Sequence, residues 1–122
     1  MSPTARTQCR LKVTGHLVAN VERWNPFVKR RQDLFGIFDT LALPIAKEID
    51  LVFLHKILAI QSTSGDHHAE RVKKIQQRLI EVPVLRNYFT IQVWSWRKTF
   101  RKRKDGTKSK RTAYKLRIET VE

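Results

Sequence analysis

Asp39 is the residue whose setting most needs a chemical account. It stands inside the apolar stretch Gly36-Ile-Phe-Asp39-Thr-Leu-Ala-Leu43, and a carboxylate buried there without a partner is expensive. It reads either as a cation-site carboxylate or as a structural aspartate satisfied by polar neighbours. A second apolar run, Lys56-Ile-Leu-Ala-Ile-Gln61, leads into Ser62 and Thr63. Positions i and i+2 of a strand share a face, so Gln61 and Thr63 offer an amide and a hydroxyl side by side, as site residues or as a polar strand end. His67, Arg71, Lys74 and Arg78 recur at i, i+4, i+7 and i+11, a single stripe on a helix. Gly65-Asp-His-His68 has the look of a metal box, but a helix N-cap followed by two exposed histidines explains it better. With one cysteine, Cys9, and no HExxH spacing near Glu70, zinc is not expected.

The second chemical feature is charge. Residues 97–111 hold nine Lys/Arg (Arg97, Lys98, Arg101, Lys102, Arg103, Lys104, Lys108, Lys110 and Arg111) against Asp105 alone, a net +8 within a chain of net +14. Asp105-Gly106 at the centre is a strong hairpin-turn dipeptide, so the run reads as a basic β-hairpin arm over 97–112. Such a ribbon can lie along a phosphate backbone or enter a groove. Trp94 and Trp96 share one face of the preceding strand, with Ile91 and Val93 on the other; they pack in a core or interface, or stack on splayed bases, packing being the expected outcome.

With 25 Lys/Arg against 11 Asp/Glu in 122 residues, the chain's field favours polyanions, and nucleic acid is the default partner. A membrane surface would call for a basic amphipathic helix or lipid anchor, and neither is evident. The lone cysteine excludes an internal disulfide. The start, Met1-Ser-Pro-Thr-Ala-Arg, lacks the apolar region of a signal peptide, and no apolar run reaches membrane-span length. A reducing, cytoplasmic setting and a single domain over residues 1–122 are the expectations, with no small-molecule substrate.

The elements that must hold these residues follow from patterning. Ser2-Pro3 opens a short helix over 3–14 that Gly15 stops. Residues 16–24 read as a strand ended by Asn25-Pro26. Residues 33–43 read as another, interrupted at Gly36 by a bulge or close backbone approach and closed by Pro44. Residues 45–54 are strand or short helix, and 56–61 a buried strand, followed by a turn at Ser62-Thr-Ser-Gly65. A helix capped by Asp66 presents Ala69, Val72, Ile75 and Leu79 on one face and stops at Pro83. Residues 90–100 and 112–119 are strands. The sum is an α+β domain on a mixed β-sheet flanked by helices, in αβββαββ order.

That order is shared by the PD-(D/E)XK nucleases, and three segments resemble them more closely. Gly36-Ile-Phe-Asp39-Thr-Leu-Ala-Leu43 resembles the "ADIIAL" strand of archaeal-type Holliday junction resolvases. Ile57-Leu-Ala-Ile-Gln61-Ser-Thr63 is similar to their "ILIExK" strand. Arg30-Arg-Gln-Asp33-Leu-Phe-Gly36, taken with Gln61-Ser-Thr-Ser64 and Arg71-Val-Lys-Lys74-Ile, looks like small phage proteins of resolvase-like type. The likeness spans residues 5 to 100. It implies a restriction-endonuclease-like core and a metal-dependent DNA endonuclease acting on branched DNA such as four-way junctions, as a homodimer. Phosphodiester hydrolysis of this kind uses a hard cation to activate water and offset charge on phosphorus, and Mg²⁺ (or Mn²⁺) takes oxygen ligands while keeping several waters.

By the resemblance Asp39 and Gln61 hold the ion with Glu22 or Asp33 and the Ser62 carbonyl. Lys74 or Arg71 steadies the phosphate, and Arg30, Arg31, Arg78 and the arm hold DNA. Asp33 has an equal claim to pairing with Arg30 or Arg31, or to capping a turn. The chain departs from the pattern where it matters: Gln61 replaces the acid and Thr63 the lysine, with Lys74 on the following helix as the candidate substitute. The alternative is therefore a non-catalytic DNA-binding protein that retains the nuclease fold. A basic RNA-binding or ribosome-associated protein is a third reading.

Overall fold

The computed structural model describes residues 1–44, 56–102, 106 and 108–122, with backbone alone at 44, 101, 102 and 108–111. Helix α1 (Pro3–Val13) begins where Ser2 Oγ accepts the Ala5 amide at 3.1 Å and ends ahead of Gly15, whose φ of +84° suits a glycine stop. Its buried residues, Thr7 and Leu11, face the sheet. Strands β1 (His16–Asn20), β4 (Thr40–Pro44), β5 (Ile57–Ser64), β6 (Phe89–Lys102) and β7 (Lys108–Thr120) form one five-stranded sheet in the order β1-β4-β5-β6-β7, while β2 (Arg23–Asn25) and β3 (Arg30–Gln32) form a separate antiparallel hairpin. Only β5 and β6 pair in parallel, because the chain between them passes through helices α2 (His68–Glu81) and α3 (Leu85–Tyr88).

Strand alternation builds two cores from one sheet. Ala59, Ile91 and Val93 pack against Ile75 and Leu79 of α2. Ile60, Trp94 and Trp96 pack with Ala42 against Leu11 of α1. The result is a single small α+β domain, a mixed sheet with a helix on each face, and both tryptophans serve the core. No described helix is long and apolar enough to cross a membrane.

Several local expectations are corrected. The strand foreseen over 16–24 stops at Asn20, and Arg23–Asn25 pairs instead with Arg30–Gln32. Residues 33–39 are not strand. Leu34 and Phe38 bridge across a tight turn in which Phe35 and Gly36 both take positive φ, 54° and 76°. Nothing lies within 4 Å of a Cβ built on Gly36, so the glycine serves the turn's conformation rather than a bulge or close approach. The turn foreseen at Ser62–Gly65 starts three residues later: β5 runs to Ser64, and a 3₁₀ turn (Gly65–His67) leads into α2 with no side-chain cap from Asp66. The segment 45–54 lies outside the described residues, as do Arg103, Lys104 and Asp105. The arm itself is visible as backbone, β6 and β7 pairing from Gln92↔Thr120 out to Lys102↔Lys108 with an irregularity between Phe100 and Lys102.

Candidate phosphodiester site

The turn at Asp33–Phe38 delivers Asp39 to the edge of β5. The Asp39 amide donates to Ile60 O at 3.0 Å and its carbonyl accepts from Val21 N at 3.0 Å, which fixes the backbone between two neighbouring segments. The carboxylate, 2% exposed, collects four donors: Oδ1 accepts from Thr40 Oγ1 (2.8 Å) and Ser62 Oγ (3.0 Å), Oδ2 from Ser62 N (2.6 Å) and Gln61 Nε2 (3.3 Å). Burial nevertheless wins. It raises the pKa from 3.8 to about 6, assisted by the nearby charge of Asp33 and opposed by the Ser62 and Thr40 hydrogen bonds.

Asp39, Gln61 and Ser62 line a cavity of about 670 Å³ together with Arg30, Arg31, Arg71 and Lys74 and the carboxylates of Glu22 and Asp33. The hairpin supplies the two arginines, and α2 supplies Arg71 and Lys74 from the opposite wall. Thr4 of α1 also lines the cavity. Glu22 lies 3.6 Å from Arg31. Two buried polar atoms among the described residues lack partners, and both belong to cavity-lining residues: Gln61 Oε1, an acceptor, and Arg71 Nε, a donor. A lone acceptor beside a carboxylate suits a hard cation; a lone guanidinium donor suits a phosphate oxygen. Against this, no group of three or more His, Cys, Asp or Glu converges closely enough among the described residues to hold a metal by itself. An ion here would rest on Asp39 and Gln61, with Glu22 or Asp33 completing the set from the cavity wall.

The site thus brings together Glu22, Arg30, Arg31, Asp33, Asp39, Gln61, Arg71 and Lys74. Thr63 does not join them: it is buried, opposite Ser95 in the β5–β6 register, and does not line this cavity. Ser62 acts through its amide and hydroxyl, and the carbonyl expected as a ligand accepts from Gln61 Nε2 at 3.4 Å. Arg78 turns to Phe35 O (3.1 Å) and Glu81 (3.0 Å) beside an adjoining groove. His67 pairs with Glu70 at 3.1 Å. Arg97 packs on Gly65, its Cβ 3.1 Å from where a glycine Cβ would stand, and exposed Lys98 lies opposite Tyr114 on the ribbon; neither lines the cavity. The arm side chains Arg101, Lys102, Lys108, Lys110 and Arg111 lie outside the description. Sequence reading missed Thr4 and Gln32, which carry no distinguishing spacing.

His68 reverses another expectation. It is buried, with Nδ1 at 2.7 Å from Ser95 Oγ and Nε2 at 3.2 Å from Glu119 Oε1. The contact order is that of a hydrolase triad, but Ser95 is 2% exposed, and a nucleophile must meet its substrate. The three residues instead tie the start of α2 to β6 and β7: the carboxylate can only accept, so Nε2–H faces Glu119, and Nδ1 meets the serine hydroxyl.

Comparison of the chain with protein-family models, curated proteins and solved structures gives no match.

Proposed function

We propose that the protein is a metal-dependent DNA endonuclease of PD-(D/E)XK type, acting on branched DNA. One observation carries the reading: Asp39, immediately before β4, and Gln61 of β5 meet at 3.3 Å in the wall of a cavity whose other side chains include Arg30, Arg31, Arg71 and Lys74. Mg²⁺ or Mn²⁺ would be held by Asp39 and Gln61 with Glu22 or Asp33, and would activate water and neutralise charge at phosphorus. Arg71 and Lys74 would bind the scissile phosphate, and the β6–β7 arm would run along the duplex. With the β2–β3 hairpin and the short helix α3 set aside, the order α1-β1-β4-β5-α2-β6-β7 supports the restriction-endonuclease-like core of this reading. Symmetric cutting of a junction takes two sites, so the reading entails a homodimer in solution.

A specific observation favours a second reading, a DNA-binding protein with the nuclease fold and no catalysis. The two Asp39 oxygens are already shared among four donors, and Thr63, in the lysine position, lies buried and does not line the cavity. Supercoiled plasmid and a synthetic four-way junction, incubated with Mg²⁺, Mn²⁺ or EDTA, separate the two. Metal-dependent nicking that vanishes in Asp39→Ala supports the endonuclease; tight binding without cleavage supports the binder. Preference for RNA over duplex DNA at fixed salt would exclude both.

A further inference from the structure

The β2–β3 hairpin carries a feature that phosphodiester binding does not use. Its tip, Pro26-Phe27-Val28, is apolar, with Phe27 94% exposed, and Trp24 on β2 is 60% exposed. The tip is held rather than slack: Asn25 Oδ1 accepts the Phe27 amide at 2.9 Å, Asn25 Nδ2 donates to Gln32 Oε1 at 3.2 Å, and Lys29 adopts a φ of 52°. Between Arg23 and Gln32 the chain has four cations, Arg23, Lys29, Arg30 and Arg31, and no acid. Arg30 and Arg31 line the cavity that holds Asp39, whereas Trp24, Pro26 and Phe27 edge a separate depression on the hairpin. One rigid ribbon therefore links an exposed aromatic wedge to the proposed cleavage site.

An exposed apolar tip among cations has a definite complement. A second copy of the ribbon, with the same four cations and no acid, would be repelled by this one, so a homodimer would pair through another face. A nucleic acid offers both halves of the match, a π-face for Phe27 and phosphates for the flanking cations. In a continuous duplex that face is occupied by the neighbouring base pair, and inserting a side chain requires unstacking. At a branch point, gap or unpaired step it is already free.

We propose that Phe27 stacks on a base exposed at a discontinuity in DNA, and that this wedge selects branched or gapped DNA over intact duplex. The proposal rests on the DNA-binding reading above and names the structure that the site prefers.

The test measures binding of the full chain, without divalent metal, to a four-way junction and to an intact duplex, each with 2-aminopurine at the branch point or its duplex equivalent. Wild type should favour the junction and change the branch-point fluorescence. Phe27→Ala should lower the ratio of junction to duplex affinity about tenfold or more, as loss of one base–aromatic stack implies, and abolish the fluorescence change; Phe27→Trp should restore both. An unchanged urea midpoint verifies that the exposed-tip variants fold. A junction preference that survives Phe27→Ala overturns the wedge while leaving the DNA reading intact. Failure of wild type to bind either DNA overturns both. Binding only to phosphatidylserine vesicles, lost in Phe27→Ala, would assign the tip to a membrane surface instead and refute the proposal.

Discussion

Replacing Asp39 by Asn should make the protein more stable at neutral pH while removing its function. The carboxyl pKa is about 6 in the folded protein against 3.8 for the free group. At about 1.4 kcal/mol for each tenfold change in proton affinity, ionising it within the fold costs about 3 kcal/mol. The sign follows from proton binding: between pH 4 and 6 the folded state holds the proton more tightly than the unfolded state, so stability falls as pH rises through that window. Above it the penalty is complete.

Asparagine keeps the shape and cannot ionise. Its amide oxygen can take the Ser62 N–H, which is able only to donate, and its NH₂ can face Thr40 Oγ1 and Ser62 Oγ, hydroxyls that can turn to accept. Urea unfolding of both proteins from pH 4 to pH 8 should therefore give curves that meet near pH 4 and part by about 3 kcal/mol above pH 7, the variant being the more stable. Shared titrations cancel in the difference. A variant that is less stable than wild type at pH 8, or a gap that does not change with pH, would refute the claim that burial outweighs the hydrogen bonds around this carboxylate.

Metal binding should carry the same signature in reverse. Mn²⁺ competes with the proton on Asp39, so its affinity by calorimetry should rise about tenfold per pH unit below about 6 and level off above 7; an affinity indifferent to pH, or retained in Asp39→Asn, would remove Asp39 from the ligand set. Lys74→Ala and Arg71→Ala should each lower the slope of log affinity for duplex DNA against log salt by about 0.9, whereas unchanged slopes would mean that neither touches phosphate. His68→Ala should destabilise the fold by about 2–3 kcal/mol, because it strands the buried Ser95 hydroxyl and removes a second hydrogen bond to Glu119. DNA affinity at fixed salt should stay within about twofold if the His68 cluster is purely structural.

The amino-acid sequence by itself determined the features that depend on local order. Alternation assigned Trp94 and Trp96 to one side of a strand and Ile91 and Val93 to the other, and they pack against different helices. Helical spacing picked out Ala69, Val72, Ile75 and Leu79 as the inner face of α2; the last three pack in the core, whereas Ala69 is exposed. The cost of burying a carboxylate singled out Asp39, and Gln61 indeed lies beside it. Tertiary structure alone decided what depends on residues distant in the chain. His68 and Asp66 are neighbours in a polar loop sequence, yet His68 is buried because Ser95 and Glu119, 27 and 51 positions away, arrive to satisfy it. Thr63 has the parity of Gln61 and is as deeply buried, yet only Gln61 lines the cavity, since alternation fixes a side of the sheet and not which residues along it meet the turn that carries Asp39. The β2–β3 hairpin was hidden because its three-residue strands are too short for a periodic signal, and only the turn at Phe35-Gly36 brings its arginines and Asp39 around one cavity.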